Sequence, residues 1–238
     1  MYLFYAPDIE TTCLLPEDES AHCVRVLRKS EGDVVTITDG KGFFYDAHVV
    51  TPHPKRCEVV IDCRRQWIKP RSFSLHLAIA PTKNMDRMEW LAEKITELGI
   101  DTITPLLCRF SERKELKPDR IRKILVSAMK QSQQALLPQL NPMMPFNQFM
   151  KETLAGEKYI AHCNEGDKKT LPQCCVPGSS ATLLIGPEGD FSDDEVTLAL
   201  QNGFTLISLG DTRLRTETAA LFACAAVHTI NQGYSVNG

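Results

Sequence analysis

The segment from Leu183 to Ala220 constrains the fold more than any other part of the chain. It reads LLIGPEGDFSDDEV, a short spacer, then LISLGDTRLRTETAALFACAA. Each half is an apolar run that stops at a glycine and gives way to a polar loop and a helix start. Two strand–loop–helix units in tandem predict a parallel sheet with both loops at one edge. In open α/β sheets ligands bind at that edge, outside the carboxyl ends of the strands. This is the first place to look for a site.

The chain has 238 residues, enough for one large domain or two modest ones with a substantial core. Apolar residues make up 43% and charged residues 24%, as in an average globular protein. No apolar run approaches the roughly 18 residues of a membrane span, so no membrane partner is expected. The start, MYLFYAPDIETT, lacks the basic and long apolar regions of a signal peptide. The nine cysteines are odd in number, show no C-x-x-C spacing and sit mostly in apolar runs, which predicts reduced thiols and no zinc. A cytoplasmic protein is expected.

The formal charge of −3 gives no global support for a nucleic-acid partner, but phosphate contacts are local. Arg25, Arg28 and Lys29 form one basic cluster. Lys55, Arg56, Arg64, Arg65, Lys69 and Arg71 form a second, and Lys114, Lys117, Arg120, Arg122 and Lys123 a third. Taken singly, each reads as a solvated face more readily than as a binding patch.

Residues 1–70 read as a small β-rich domain. VVTITDG (34–40), GFFYDAHVV (42–50) and CEVVIDCRR (57–65) are short strands with turn signals between them, and PEDESAHCVRVL (16–27) is a short helix. QWIKPRS (66–72) is the expected joint. Beyond it the texture becomes α/β. SFSLHLAIA (72–80) alternates at period two, and Asn84 to Leu98 repeats apolar residues at helical spacing before Gly99. Further strands are expected at 101–107, 158–163, 182–186 and 205–210, and further helices from Pro118 to about Leu136, Ser192 to about Asn202, and Thr216 to about Gln232.

In IGPEGDFS, Gly186 and Gly189 permit close approach by a ligand, Pro187 stiffens the turn, and Glu188 offers a carboxylate. Neither G-x-G-x-x-G nor a P-loop is present. The acidic run 190–195 has the wrong spacing for a calcium loop and fits a capped helix start, so no metal is expected. In LGDTRLRTETAA, Gly210 ends a strand, Arg213 and Arg215 bring positive charge, and Glu217 lies in the first turn of the last helix. By itself this start reads more readily as a salt-bridged cap than as a catalytic site.

Other segments change that reading. GPEG and LRTETA occur in this order near the C-terminus, with HCVRVLRKSEGD at 22–33 and KNMDRMEWLAEKITELGIDTITPL at 83–106. RFSER at 109–113 and KQSQQ at 130–134 complete the set, followed by Pro138. Together they resemble the SPOUT-class methyltransferases, and within them the 16S rRNA (uracil-N3)-methyltransferase family. The resemblance runs over nearly the whole chain. It implies an α/β fold with a PUA-like RNA-binding β-barrel over 1–70 and a trefoil-knotted SPOUT methyltransferase domain over 71–238. It also implies S-adenosylmethionine as cofactor, 16S rRNA of the small ribosomal subunit as substrate, and a homodimer.

Carried onto this sequence, the resemblance implies cofactor contacts from Gly186, Glu188, Gly189, Leu209, Gly210 and Leu214. Arg215 is the expected anion stabiliser or base-positioning residue, with Glu217 either orienting Arg215 or accepting a proton. Arg25, Arg28, Arg109 and Arg113 are the expected RNA contacts, and His22 is either a packed residue or another. Asp190 stands where many members of the family have a second glycine. A SPOUT enzyme acting on a ribose 2′-hydroxyl or another base, and a non-enzymatic RNA-binding module, are the alternative readings.

Overall fold

The computed structural model describes residues 2–163 and 168–232. The chain divides into two compact units. One takes residues up to Lys69 and also Val126–Leu137; the other takes Pro70–Leu125 and the chain from Pro138 onward. The second segment of the first unit departs from the simple boundary near residue 70 that the sequence suggests.

The first unit starts with β1 (Leu3–Tyr5), α1 (Ile9–Thr12) and α2 (Glu17–Ala21), which runs into a π-helical turn at His22–Val26. Then follow β2 (Val34–Thr38), β3 (Phe43–Thr51) and β4 (Glu58–Gln66). The sheet order is β1-β2-β3-β4, with β1 parallel to β2 and the rest antiparallel. The β2–β3 turn forms because Asp39 Oδ1 accepts the amides of Lys41 at 2.7 Å and Phe43 at 3.1 Å, while Gly40 takes φ +71°. The sequence suggests a small PUA-like β domain, and its ladder runs from β1 to β4, extended by an antiparallel bridge from Leu14 to Glu58. Phe4, Ile9, Ile37, Tyr45 and Val49 fill the core with Cys23 and Cys57. Burial pushes the Cys23 thiol up to about 12, so it stays protonated and inert. Val126–Leu137 closes the unit: Ala135 accepts the Gly42 amide at 2.9 Å, and Lys130 pairs with the buried Glu19.

The second unit contains β5 (Leu75–Ile79), α3 (Met85–Glu97) and β6 (Thr102–Leu107), then α4 (Pro118–Gln131), whose last residues group with the first unit. There follow β7 (Gln139–Leu140), β8 (Met144–Pro145), α5 (Phe146–Phe149), β9 (Glu157–Ala161), β10 (Lys169–Thr170) and α6 (Leu171–Cys174). β11 (Ala181–Ile185), α7 (Asp193–Gln201), β12 (Thr205–Ser208) and α8 (Thr216–Asn231) complete it. The strand order is β10-β12-β9-β11-β5-β6-β7, with β8 also on β6, and every pairing is parallel.

The period-two pattern of β5 has a direct consequence. Leu75, Leu77 and Ile79 share one face, the side on which α8 packs against β5 and β11 and in turn meets α3. Ala78 and Ala80 share the other, in a cluster with Leu106, Ile160, Leu184, Phe191 and Phe204. Each buried leucine or isoleucine contributes roughly 1.5–3 kcal/mol by leaving water. The helix starts are specified locally. The Asn84 side chain accepts the Asp86 amide at 2.9 Å, and Ser192 and Glu195 form a reciprocal capping box at α7. α4 ends at Gln131 rather than near Leu136. There Ser132 turns its hydroxyl back onto the Ala128 carbonyl and Gln133 takes φ +56°. Among the described residues no helix is long and apolar enough to cross a membrane.

Candidate functional site

Strand order decides which loops meet. β9 lies between β11 and β12, and β5 and β6 follow on the other side of β11. Because all run parallel, the segments after β5 (80–84), β6 (108–113), β9 (162–163), β11 (186–190) and β12 (209–215) emerge at one carboxyl edge. The two glycine loops seen in the sequence therefore flank the end of β9.

The loop after β11 is tightly fitted. A Cβ on the buried Gly186 would lie 3.1 Å from the Phe191 ring and 3.2 Å from the Phe191 amide. A Cβ on Gly189 would lie 2.9 Å from the Phe110 Cβ. Glu188 Oε1 accepts the Lys83 amide at 2.9 Å, across 105 residues of sequence. Asp190 takes φ +66°, the region that a glycine occupies freely. Its carboxylate offsets the strain by accepting the Cys163 amide at 2.6 Å and the Phe191 amide at 2.8 Å. The loop after β12 is more open: Gly210 takes φ +114°, and among the described residues nothing beyond its own chain neighbours stands within 4 Å of the place a Cβ would occupy. Leu209 and Leu214 are half-buried, and Arg213 is exposed.

Arg215 caps α8 through its backbone, its carbonyl accepting the Ala219 amide at 2.8 Å. Its side chain is exposed and makes no capping bond. Glu217 is 7% exposed, and its Oε1 lies 3.7 Å from Nε of Arg87 on α3. The structure thus gives Glu217 to Arg87. Arg87 stands in the KNMDRM segment, so the motif was visible but the pairing was not. His162, just past β9, is also absent from the sequence reading. Both its ring nitrogens are shielded and lack a hydrogen-bond partner among the described residues. Burial, then nearby Lys168, lowers its pKa, so it is neutral near neutral pH.

The four arginines expected to contact RNA fall into different settings. Arg25, in the π-helical turn, and Arg28, at φ +54°, are exposed in the first unit. His22 stacks on Tyr2 with ring centroids 4.4 Å apart. Arg109 has an exposed side chain, while its amide donates to Glu195 Oε1 at 2.9 Å. Arg113 is committed: Nε donates to the Thr82 carbonyl at 3.1 Å and Nη2 to the Lys83 carbonyl at 2.6 Å. A separate cleft of about 330 Å³ sits at the opposite, amino edge of the sheet, lined by His76, Thr104 and Asn141 among others. It is remote from the loops just described.

Gly186 and Gly189 let their loop pack against Phe191 and Phe110, and the more open Gly210 loop suits a cofactor held largely by backbone. No cluster of three metal-ligating side chains occurs among the described residues. A parallel α/β sheet with paired glycine loops at its carboxyl edge, following a small β domain, defines a two-unit protein whose ligand site lies on the sheet.

Comparison with known proteins specifies the class. An RNA methyltransferase domain matches residues 69–228, and an RNA methyltransferase PUA domain matches residues 15–62. The chain belongs to this RNA methyltransferase family. It is 42% identical to a probable rRNA-methyltransferase from Porphyromonas gingivalis, with TM-score 0.94 over 98% of this chain and 100% of that one. It is 28% identical to the ribosomal RNA small subunit methyltransferase E of Neisseria gonorrhoeae, solved bound to S-adenosyl methionine, with TM-score 0.85 over 97% and 98% of the two chains. The protein of the same name from a Synechocystis species is 28% identical over 96% of this chain and 77% of its own length.

Proposed function

We propose that this protein transfers the methyl group of S-adenosylmethionine to N3 of a uridine in 16S rRNA of the small ribosomal subunit. One observation carries the reading: the chain is alike over 97% of its length to a methyltransferase E solved with that cofactor, and its own two glycine loops flank β9 at the carboxyl edge of the sheet. The Gly186–Gly189 and Leu209–Leu214 loops hold the cofactor, largely by backbone. The cofactor supplies an electrophilic methyl group. The uridine nitrogen must lose its proton near the moment of attack, and negative charge then spreads to the flanking carbonyl oxygens. Arg215, with an exposed side chain at the rim of the β12 loop, stabilises that charge. Glu217, buried against Arg87, anchors the first turn of α8 from which Arg215 projects.

Arg25, Arg28 and Arg109 contact RNA phosphates, and the first unit serves as the RNA-binding barrel. The C-terminal chain forms a trefoil knot, and the protein acts as a cytoplasmic homodimer. The half-exposed Phe222 on the outer side of α8, among small residues, supports a subunit contact.

The test is a methylation map of small ribosomal subunits from a strain lacking the gene. Loss of one 3-methyluridine, restored by the wild-type gene and not by Arg215→Ala, is expected. An unchanged map, or loss of a ribose methyl group instead, would overturn the assignment.

A further inference from the structure

The resemblance implies RNA contacts from both arginines of the RFSER segment, yet the second is bound to the protein's own backbone. The Arg113 guanidinium spans two successive carbonyls, those of Thr82 and Lys83, in the loop after β5. The peptide nitrogen of Lys83 donates to Glu188 in the loop after β11. The Lys83 ammonium is in turn paired with Glu112 at 2.6 Å, beside Arg113. On the other side of the same loop, Phe110 fills the space that a Cβ on Gly189 would enter, and the Arg109 amide is held by Glu195 of α7. The hydrogen bonds thus run in series from Arg113 to the 82–83 backbone, and from there to Glu188 and the Gly186–Gly189 turn.

A cofactor bound through backbone groups depends on the placement of those groups, and a shift of 1 Å in a binding loop is costly. A planar guanidinium holds two carbonyls at a fixed spacing through a rigid fork of donors, whereas an ammonium is a compact charge with rotatable donors and does not fix that spacing. We infer that Arg113 is a positioning residue for the cofactor loop, acting through the Thr82–Lys83 backbone and the Glu188 carboxylate, and is not an RNA-gripping residue. This rests on the methyltransferase reading and adds to it a second layer of support around the cofactor site.

The experiment measures two affinities on the full-length protein: for S-adenosylmethionine by calorimetry, and for a 16S rRNA fragment over a salt series. Arg113→Ala is expected to weaken cofactor binding roughly tenfold, the loss of one charge-assisted hydrogen bond or more. RNA affinity and its salt slope are expected to stay at wild-type values. Arg113→Lys keeps the charge and is expected to bind cofactor as poorly as Arg113→Ala. Glu188→Ala should produce a similar loss, partly rescued by Glu188→Gln, which keeps an acceptor for the Lys83 amide. Arg113→Ala combined with Glu188→Ala should lose little more than either alone, as expected for links in one series. Thermal unfolding of each variant identifies any that lose the fold, and Glu188→Gln remains informative if Arg113→Ala does.

The opposite pattern, wild-type cofactor affinity with a salt slope reduced by about one, would place Arg113 on a phosphate and overturn the inference. Additive losses in the double variant would overturn the serial linkage. Wild-type protein that fails to bind S-adenosylmethionine would overturn the methyltransferase reading itself, which is a different result from either of these.

Discussion

Gly189→Ala tests how closely two distant segments are fitted at the proposed cofactor edge. Gly189 does not occupy a left-handed conformation, so alanine fits the local backbone, and the conflict is purely one of contact. The added Cβ would stand 2.9 Å from the Phe110 Cβ, whereas carbon atoms rest comfortably at about 3.5–4.0 Å. One loop must therefore give by roughly 0.6 Å or more. Overpacking costs about 1–3 kcal/mol, and Phe110 is 47% exposed with room to move, so about 1 kcal/mol is expected. If the β11 loop takes up the shift, affinity for S-adenosylhomocysteine falls about five- to tenfold by calorimetric titration. Because the contact is to the Cβ, Phe110→Ala leaves it in place and cannot restore binding. Phe110→Gly removes it and should restore most of the loss. Equal rescue by both changes, or wild-type affinity in Gly189→Ala, would refute this account of the loop.

Three further outcomes follow from named contacts. Burial lowers the His76 pKa from 6.5 to about 4, so the unfolded chain binds the extra proton first as pH falls. The contribution is complete above about pH 6.5 and is lost as pH falls toward 4, amounting to as much as about 3 kcal/mol; urea unfolding at several pH values should show a flatter profile for His76→Gln. Arg87→Ala leaves the buried Glu217 carboxylate without its cation. The cost is about 1–2 kcal/mol, below the 3–5 of a fully buried pair because the Arg87 side chain is 38% exposed, and adding Glu217→Gln should recover part of it in denaturant titrations. Arg25→Ala and Arg28→Ala should each weaken RNA binding across sequences and reduce the salt slope by about one in filter binding; an unchanged slope would remove these residues from the RNA surface.

Local chemistry made much of this protein legible in its sequence. The helix start at Asn84, the capping box of Ser192 and Glu195, and the alternation of β5 involve residues within a few positions of one another, and periodicity reports such relations directly. The two-residue strands β7, β8 and β10 and the four-residue helices α1, α5 and α6 left no such signal, being too short to show a period. The split of α4 between units also went unread. Its apolar face is continuous, and nothing local marks where its packing partner changes.

The paired glycine loops, their order near the C-terminus and their place after parallel strands are properties of the sequence itself. Which side chains serve those loops is not. Lys83 and Glu188 are 105 positions apart and Arg109 and Glu195 are 86 apart, so their contacts exist only once β5, β6 and β11 lie side by side. The same assembly gives Glu217 to Arg87, turns Arg113 inward, and gives Asp190 two amides that offset a glycine-like conformation. Sequence patterns record spacings along the chain, whereas hydrogen bonds and ion pairs act over a few ångströms of space. Strand order brings those distances together, and only the tertiary structure contains it.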